Sequence, residues 1–251
     1  MYFYKVPNKW IREKPPDIKR ICTYYLLNLV RGMSDYGMTS VKYIVDNCGY
    51  KCRRGKDGVN RTYINIIRQA AEDQDIILDS NYNIENCVNM DTAIPYIVNG
   101  INFDEIDNFT KLTDMEFNII IKENRYRNKE DTLGVYLYIK SYYHPYTAVN
   151  RPIGFYQSLS TIRKNLGVSE RVLIKTLDWL VEKKLLIKHY TGSMITDDSN
   201  QTRKNVPNIY IPNLGQPQDE INETIKSTVA LMKEFYNVDK FLPFMKNGKE
   251  N

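Results

Sequence analysis

The sequence predicts a mainly α-helical fold of the α+β class, with small β elements and two separate helical units. Apolar residues recur at helical spacing in several segments, and Ser, Thr or Asp stands where it can cap them. Short apolar runs follow the longest of these segments and read as strands. The 251 residues suffice for one large domain or two of ordinary size. With 42 % hydrophobic and 26 % charged residues, the balance is that of a chain that can bury a core.

Residues 1–110 are expected to form an N-terminal helical domain that ends in an acidic stretch. Asp17 can cap a helix from Ile18 to Val30, with Gly32 and Gly37 as breakers. Thr39 or Ser40 can cap a second helix, Val41 to Asn47. A basic, Gly-containing loop follows, with Lys51, Arg53, Arg54, Gly55, Lys56 and Gly58. The spacing of Tyr63, Ile64, Ile66, Ile67 and Ala70 predicts a third helix from about Asn60 to Glu72. Asp75 to Asp79 reads as a strand. Residues 80–111 are Asn- and Asp-rich and show no clear element. Thr113 and Glu116 match a capping box opening a linker helix within 111–128.

The pattern sharpens over 129–213. Leu133, Val135, Tyr136, Tyr138, Ile139 and Tyr142 fit a helix that ends before Pro145. Gly154-Phe155-Tyr156 reads as a short strand. Ser158 or Ser160 can cap a helix ending at Leu166. Gly167 suits a tight turn, and Ser169 caps the next helix, Glu170 to Lys184. Leu173, Leu177, Leu180 and Val181 share one face of it. A strand from Leu186 to Tyr190, a polar hairpin and a return strand from Asn208 to Ile211 complete the segment. Residues 214–251 hold a C-terminal helix and tail. In that helix the spacing puts Ile221, Ile225, Val229, Met232 and Phe235 on one face, which can pack on the domain or form a homodimer.

The net charge of +5 hides a segregation. Residues 73–121 contain ten acidic residues against Lys111 alone, a net of −9. Residues 48–72 and 160–205 each carry a net of +4. Such segregation fits a basic face for phosphates beside an acidic region, or a solvated surface with chance clustering.

No apolar run reaches the ~18 residues of a membrane span, and the N-terminus lacks signal-peptide features, so a cytoplasmic chain is expected. Cys22, Cys48, Cys52 and Cys87 read as free thiols. Cys48 and Cys52 form a CxxxC pair without a second pair at finger spacing, so neither metal nor cofactor is expected. Phosphate-loop, dinucleotide, HExxH and GxSxG motifs are absent, which argues against an enzyme.

The run LGVSERVLIKTLDWLVEKKLLI, from Leu166 to Ile187, resembles the winged helix-turn-helix family of DNA-binding proteins. The resemblance covers about a third of the chain and departs at Lys184, where many relatives have Gly. The N-terminal order of helix, helix, helix and strand is also the winged-helix order, with a long loop between the second and third helices, so a second winged-helix-like unit is expected there. The resemblance implies a recognition helix whose N-terminal turns face base edges of double-stranded DNA. Ser169 and Arg171 stand at that end, with Arg171 as the candidate for guanine. Lys175 would serve a phosphate or a base. Ser160, Arg163 and Lys164 would hold the backbone. Arg203 and Lys204 could reach phosphate or the minor groove, against Asp197 and Asp198 in the same hairpin. Arg53, Arg54 and Lys56 form a second basic patch that binds phosphate or is simply solvated.

Two such units joined by an acidic stretch are similar in layout to plasmid and phage replication initiators of the Rep type and to DnaD-like proteins. The expected function is therefore replication initiation, with replication or transcription proteins as further partners. A transcriptional regulator and a protein-binding adaptor are the competing readings.

Overall fold

The computed structural model describes residues 3–12, 17–31, 35–55, 57–79, 83–84, 89–99, 109–123, 129–143, 152–195, 203–238, 241–242, 245–246 and 249–250. The fold mixes helices with small antiparallel sheets. It divides into two compact units, Met1–Ser141 and Tyr142–Asn251.

Unit 1 begins with β1 (Phe3–Pro7) and α1 (Asn8–Arg12), followed by α2 (Ile18–Arg31). Asp17 caps α2 as expected, its carboxylate accepting from the Lys19 and Arg20 amides at 2.7 and 3.3 Å. Then come β2 (Tyr36–Thr39), α3 (Val41–Asn47) and α4 (Val59–Glu72). Ser40, not Thr39, is the cap of α3. Next are β3 (Ile76–Leu78), β4 (Ile94–Val98) and β5 (Phe109–Thr113). The predicted capping box at Thr113 and Glu116 is present and opens α5 (Asp114–Asn118), which runs into a π-helical turn, Ile119–Glu123.

Two strands of this unit lie where the sequence shows no clear element. β4 is the middle strand of the sheet β2–β4–β3, and β5 pairs with β1. Both are short, and their long-range partners supply the apolar contacts that local pattern does not display.

The helix expected to open the 129–213 segment is α6 (Lys129–Ser141), and it packs within unit 1 against α2, α1 and β5. Gly134 lets it approach α2 closely: a Cβ there would stand 2.5 Å from Ile18 Cγ1. Buried polar groups fix the same position. Glu116 accepts from the Tyr136 hydroxyl and the Lys140 ammonium. Glu130, 2 % exposed, accepts from the hydroxyls of Tyr50 and Tyr63 and pairs with Lys19 at 3.1 Å.

Unit 2 holds α7 (Leu159–Leu166), α8 (Glu170–Glu182), β6 (Leu186–His189), β7 (Ser193–Ile195), β8 (Arg203–Asn205), β9 (Ile209–Pro212) and α9 (Gln218–Tyr236). β6 pairs with β9, and Phe155 bridges to Tyr210 on the other side of β9. α9 covers this sheet through Ile221 and Met232, which cluster with Ile209 and Ile211. The Thr228 hydroxyl accepts from the Gly154 amide at 2.8 Å. Phe235 departs from its expected place on the apolar face: it is 74 % exposed, because the buried stripe follows Ile221, Thr224, Thr228 and Met232. Beyond α9, Met245–Lys246 pairs with Lys249–Glu250.

The two units share a plan. In unit 1 the succession is β2, α3, α4, β3, β4, with β4 between the other two strands. In unit 2 it is Phe155, α7, α8, β6, β9, with β9 between the other two. The exits of the longer helices also correspond. After α4, the Gln74 amide donates to Ala71 O and the Asp75 amide to Ala70 O. After α8, the Lys184 amide donates to Val181 O and the Leu185 amide to Leu180 O. Both are Schellman closures with a left-handed residue that is not glycine, at φ 59° for Gln74 and 57° for Lys184. The departure at Lys184 therefore leaves the closure intact.

Candidate nucleic-acid interface

The site is built on the α7–α8 pair. Ser158, the nearer of the two expected caps, accepts from the Thr161 amide at 3.1 Å. Gly167 is left-handed (φ 66°), and its amide donates to Arg163 O at 2.9 Å, ending α7. Ser169 then caps α8 by accepting from the Val172 amide at 3.3 Å. A left-handed glycine between two capped helices turns the chain within a few residues and fixes the angle of α8.

Leu173, Thr176, Leu177 and Leu180 are the buried face of α8, and Ile162 and Leu166 are that of α7. The opposite face of α8 presents Arg171, Ile174, Lys175 and Asp178, all exposed. Thus the structure places Ser169, Arg171 and Lys175 together at the solvent-facing start of one helix. Ser160 and Lys164 are exposed on α7. Arg163 is also exposed but is engaged, its Nη1 standing 2.9 Å from Glu170 Oε2. Asp178 lies 3.8 Å from Lys188 Nζ. The acids of α8 nearest the exposed cations are thus each matched by a neighbouring base.

The hairpin after β6 brings Arg203 and Lys204 opposite Ile195 and Met194. Both are exposed, and the Arg203 Nε donates to Ser193 Oγ at 2.6 Å. The hairpin tip, with Asp197 and Asp198, lies outside the described residues. Between this hairpin and the start of α7 is a cleft of about 310 Å³, with Ser158, Ser160, Asn205 and Asn208 among its walls. His189 on β6 is half-buried, and burial lowers its pKa.

The second basic patch belongs to unit 1, so the predicted residues fall into two groups and not one. Arg53 and Arg54 are exposed on the α3–α4 loop, and Lys56 lies outside the described residues. That loop is organised from beneath by buried Asn60, whose Nδ2 donates to Arg53 O at 2.8 Å and Gly55 O at 2.7 Å. The Cys52 amide donates to Asp46 Oδ1 at 3.2 Å. Asn60 was missed as a site residue because its partners are backbone carbonyls, which leave no sequence signature. Ile174 is apolar but exposed, and spacing already marks this, because it falls outside the Leu173, Leu177, Leu180 repeat.

Several acids of the acidic stretch are engaged internally. Asp73 pairs with Arg20 at 2.7 Å, Asp91 with Lys42 at 3.0 Å, and Asp75 accepts from the Tyr24 hydroxyl at 2.9 Å. Cys22, Cys48 and Cys52 are free thiols, and burial pushes Cys48 up to about 12. Among the described residues there is no group of three or more His, Cys, Asp or Glu placed to hold a metal ion. Nor is any helix among them long and apolar enough to cross a membrane. No family model, no curated protein and no solved structure matches the chain.

Proposed function

We propose that this chain binds double-stranded DNA through a winged helix-turn-helix made of α7, α8 and the β6–β9 hairpin, without catalysis. The observation that carries the reading is the outward face of α8. Arg171 and Lys175 are exposed there, one turn apart, on a helix whose other side is anchored by Leu173, Leu177 and Leu180. Cations so held can meet base edges and phosphates in a major groove. Lys164, Lys204 and the hydroxyl of Ser160 flank that face and would contact the backbone.

The shared plan of the two units favours a role in initiating replication of a plasmid or phage. Unit 1 offers the Arg53–Arg54 loop at the start of α4, much as unit 2 offers α8. A chain with two such modules suits a long site built of repeats. Transcriptional regulation from an operator-like site is the competing reading, and a protein-binding adaptor is a third. The reading also takes the protein to be cytoplasmic.

The test is retention of a random duplex pool by the full chain, titrated with salt. The logarithm of the affinity should fall steeply with that of salt, by about 0.9 for each phosphate neutralised. Enriched sequences carrying direct repeats would support an initiator, and a single palindrome a regulator. Failure to retain any duplex would overturn DNA binding and favour the adaptor.

A further inference from the structure

We infer that Ile174 reads the 5-methyl group of a thymine in the major groove, one or two base pairs from the base that Arg171 contacts. The inference rests on the DNA-binding reading above and adds a specificity-determining residue to it.

Ile174 is 40 % exposed and stands on α8 between Arg171 and Lys175. A single exposed aliphatic residue is ordinary on a protein surface. This one, however, lies on the face where the exposed neighbours are Arg171, Lys175 and Asp178, and within the first two turns of the helix. Those turns are the part of a recognition helix that reaches base edges. Solvation of such a face gains nothing from a branched hydrocarbon. A major groove supplies one apolar partner for it, the thymine methyl, which distinguishes thymine from cytosine.

The geometry sets the spacing. Three residues of α-helix rise about 4.5 Å, and successive bases on one strand are about 3.4 Å apart. Arg171 and Ile174 therefore address neighbouring or next-neighbouring bases. The β-branched side chain has one dominant rotamer in a helix, so its methyl groups are already positioned before DNA arrives. Asp178, one turn further on, is drawn towards Lys188, which limits its repulsion of the backbone.

The test starts from duplexes enriched by the full chain from a random pool. The best of them is synthesised with thymine, and again with uracil substituted at one thymine at a time. Uracil pairs identically and lacks only the methyl. One substitution, beside the guanine sensitive to Arg171→Ala, should weaken binding about fourfold, the worth of one buried methyl. Ile174→Ser should bind thymine and uracil duplexes equally and keep the wild-type salt dependence. Ile174→Val should retain the discrimination.

Equal binding of every thymine and uracil duplex by the wild type, with salt-dependent retention intact, would overturn the assignment of Ile174 and leave DNA binding standing. Persistent discrimination by Ile174→Ser would overturn it as well. Retention of no duplex would remove the underlying reading itself. Because Ile174 lies outside the buried face of α8, its variants should stay folded at the assay temperature, which a melting curve of each checks.

Discussion

Arg163 Nη1 and Glu170 Oε2 stand 2.9 Å apart across the turn that joins α7 to α8. The pair does two things. It braces the two helices around Gly167, and it matches the negative charge that the sequence puts at the front of α8. Both side chains are well exposed, so the bridge should contribute at most ~1 kcal/mol to stability. Its larger effect is on the charge at the start of α8. Glu170→Gln should free Arg163 for phosphate and steepen the salt dependence of duplex binding by about 0.9. Arg163→Ala should weaken binding and leave that slope no steeper than wild type. Titrations at several salt concentrations measure both, and an unchanged slope in Glu170→Gln would show that Arg163 stays away from the backbone.

Arg171 and Lys175 share the exposed face of α8 but should fail differently. Arg171→Ala should cost about 1–3 kcal/mol and relax preference at one base position, as loss of a bidentate guanine contact does. Lys175→Ala, if Lys175 holds phosphate, should weaken all duplexes alike and reduce the salt slope by about 1. Repeating the pool selection with each variant separates the two. Intact sequence preference in Arg171→Ala would remove Arg171 from base contact even with binding preserved.

How much of this was legible in the sequence follows from where each signal resides. Caps are local, so Asp17, Thr113, Ser169 and the left-handed Gly167 could be read from side-chain type and spacing, and Ser158 as one of two candidates. The strands β1, β4 and β5 could not, because each is defined by a partner far along the chain. α6 shows the limit most clearly. Its helical spacing is plain in the sequence, but the choice of packing partner depends on Glu130 meeting Lys19, Tyr50 and Tyr63, residues 67 or more positions away for the two tyrosines and further for the lysine. At the candidate site, burial of the leucine face made Arg171 and Lys175 predictable as exposed. The Arg163–Glu170 pair needed the geometry of the turn.

Lys184 and Gln74 occupy matching left-handed positions, at φ 57° and 59°, where glycine would be unstrained. An L-residue there costs roughly 1–2 kcal/mol, while glycine gives back about 0.4–1 kcal/mol through the freer unfolded chain. Lys184→Gly should therefore stabilise the protein by about 0.5 kcal/mol. Gln74→Gly should do the same. Urea unfolding measures each change, and destabilisation by both would mean that the side chains make contacts worth more than the strain.

The Glu130 carboxylate is the common acceptor for Tyr50, Tyr63 and Lys19. Glu130→Ala would leave two hydroxyls and an ammonium without their partner, at a cost of about 3–5 kcal/mol. Tyr63→Phe removes one donor and should cost about 1–3 kcal/mol. Tyr50 directly precedes the basic loop, so Glu130→Ala should also loosen Arg53 and Arg54, seen as faster proteolysis within 51–58. A variant that unfolds at the wild-type urea concentration would show that the network carries no stability.

Asp131 gives the clearest dependence on pH. Burial, and then the neighbouring charge of Glu130, push its carboxyl up to about 6, with Lys19 acting in the opposite direction. An unfolded Asp titrates near ~3.9. Between those values the folded chain keeps a proton that the unfolded chain has released, so stability from this group is present at low pH and falls as pH rises from about 4 through about 6. Above that range the ionised carboxylate is a net burden on the fold. Asp131→Asn removes the burden, and because the side chain is only partly buried the gain at neutral pH should be limited by solvent to ~1 kcal/mol. Near pH ~3, where wild-type Asp131 is almost wholly protonated in both states, the variant and the wild type should unfold together. An equal gain at both pH values would show that the substitution acts through packing and not through this titration.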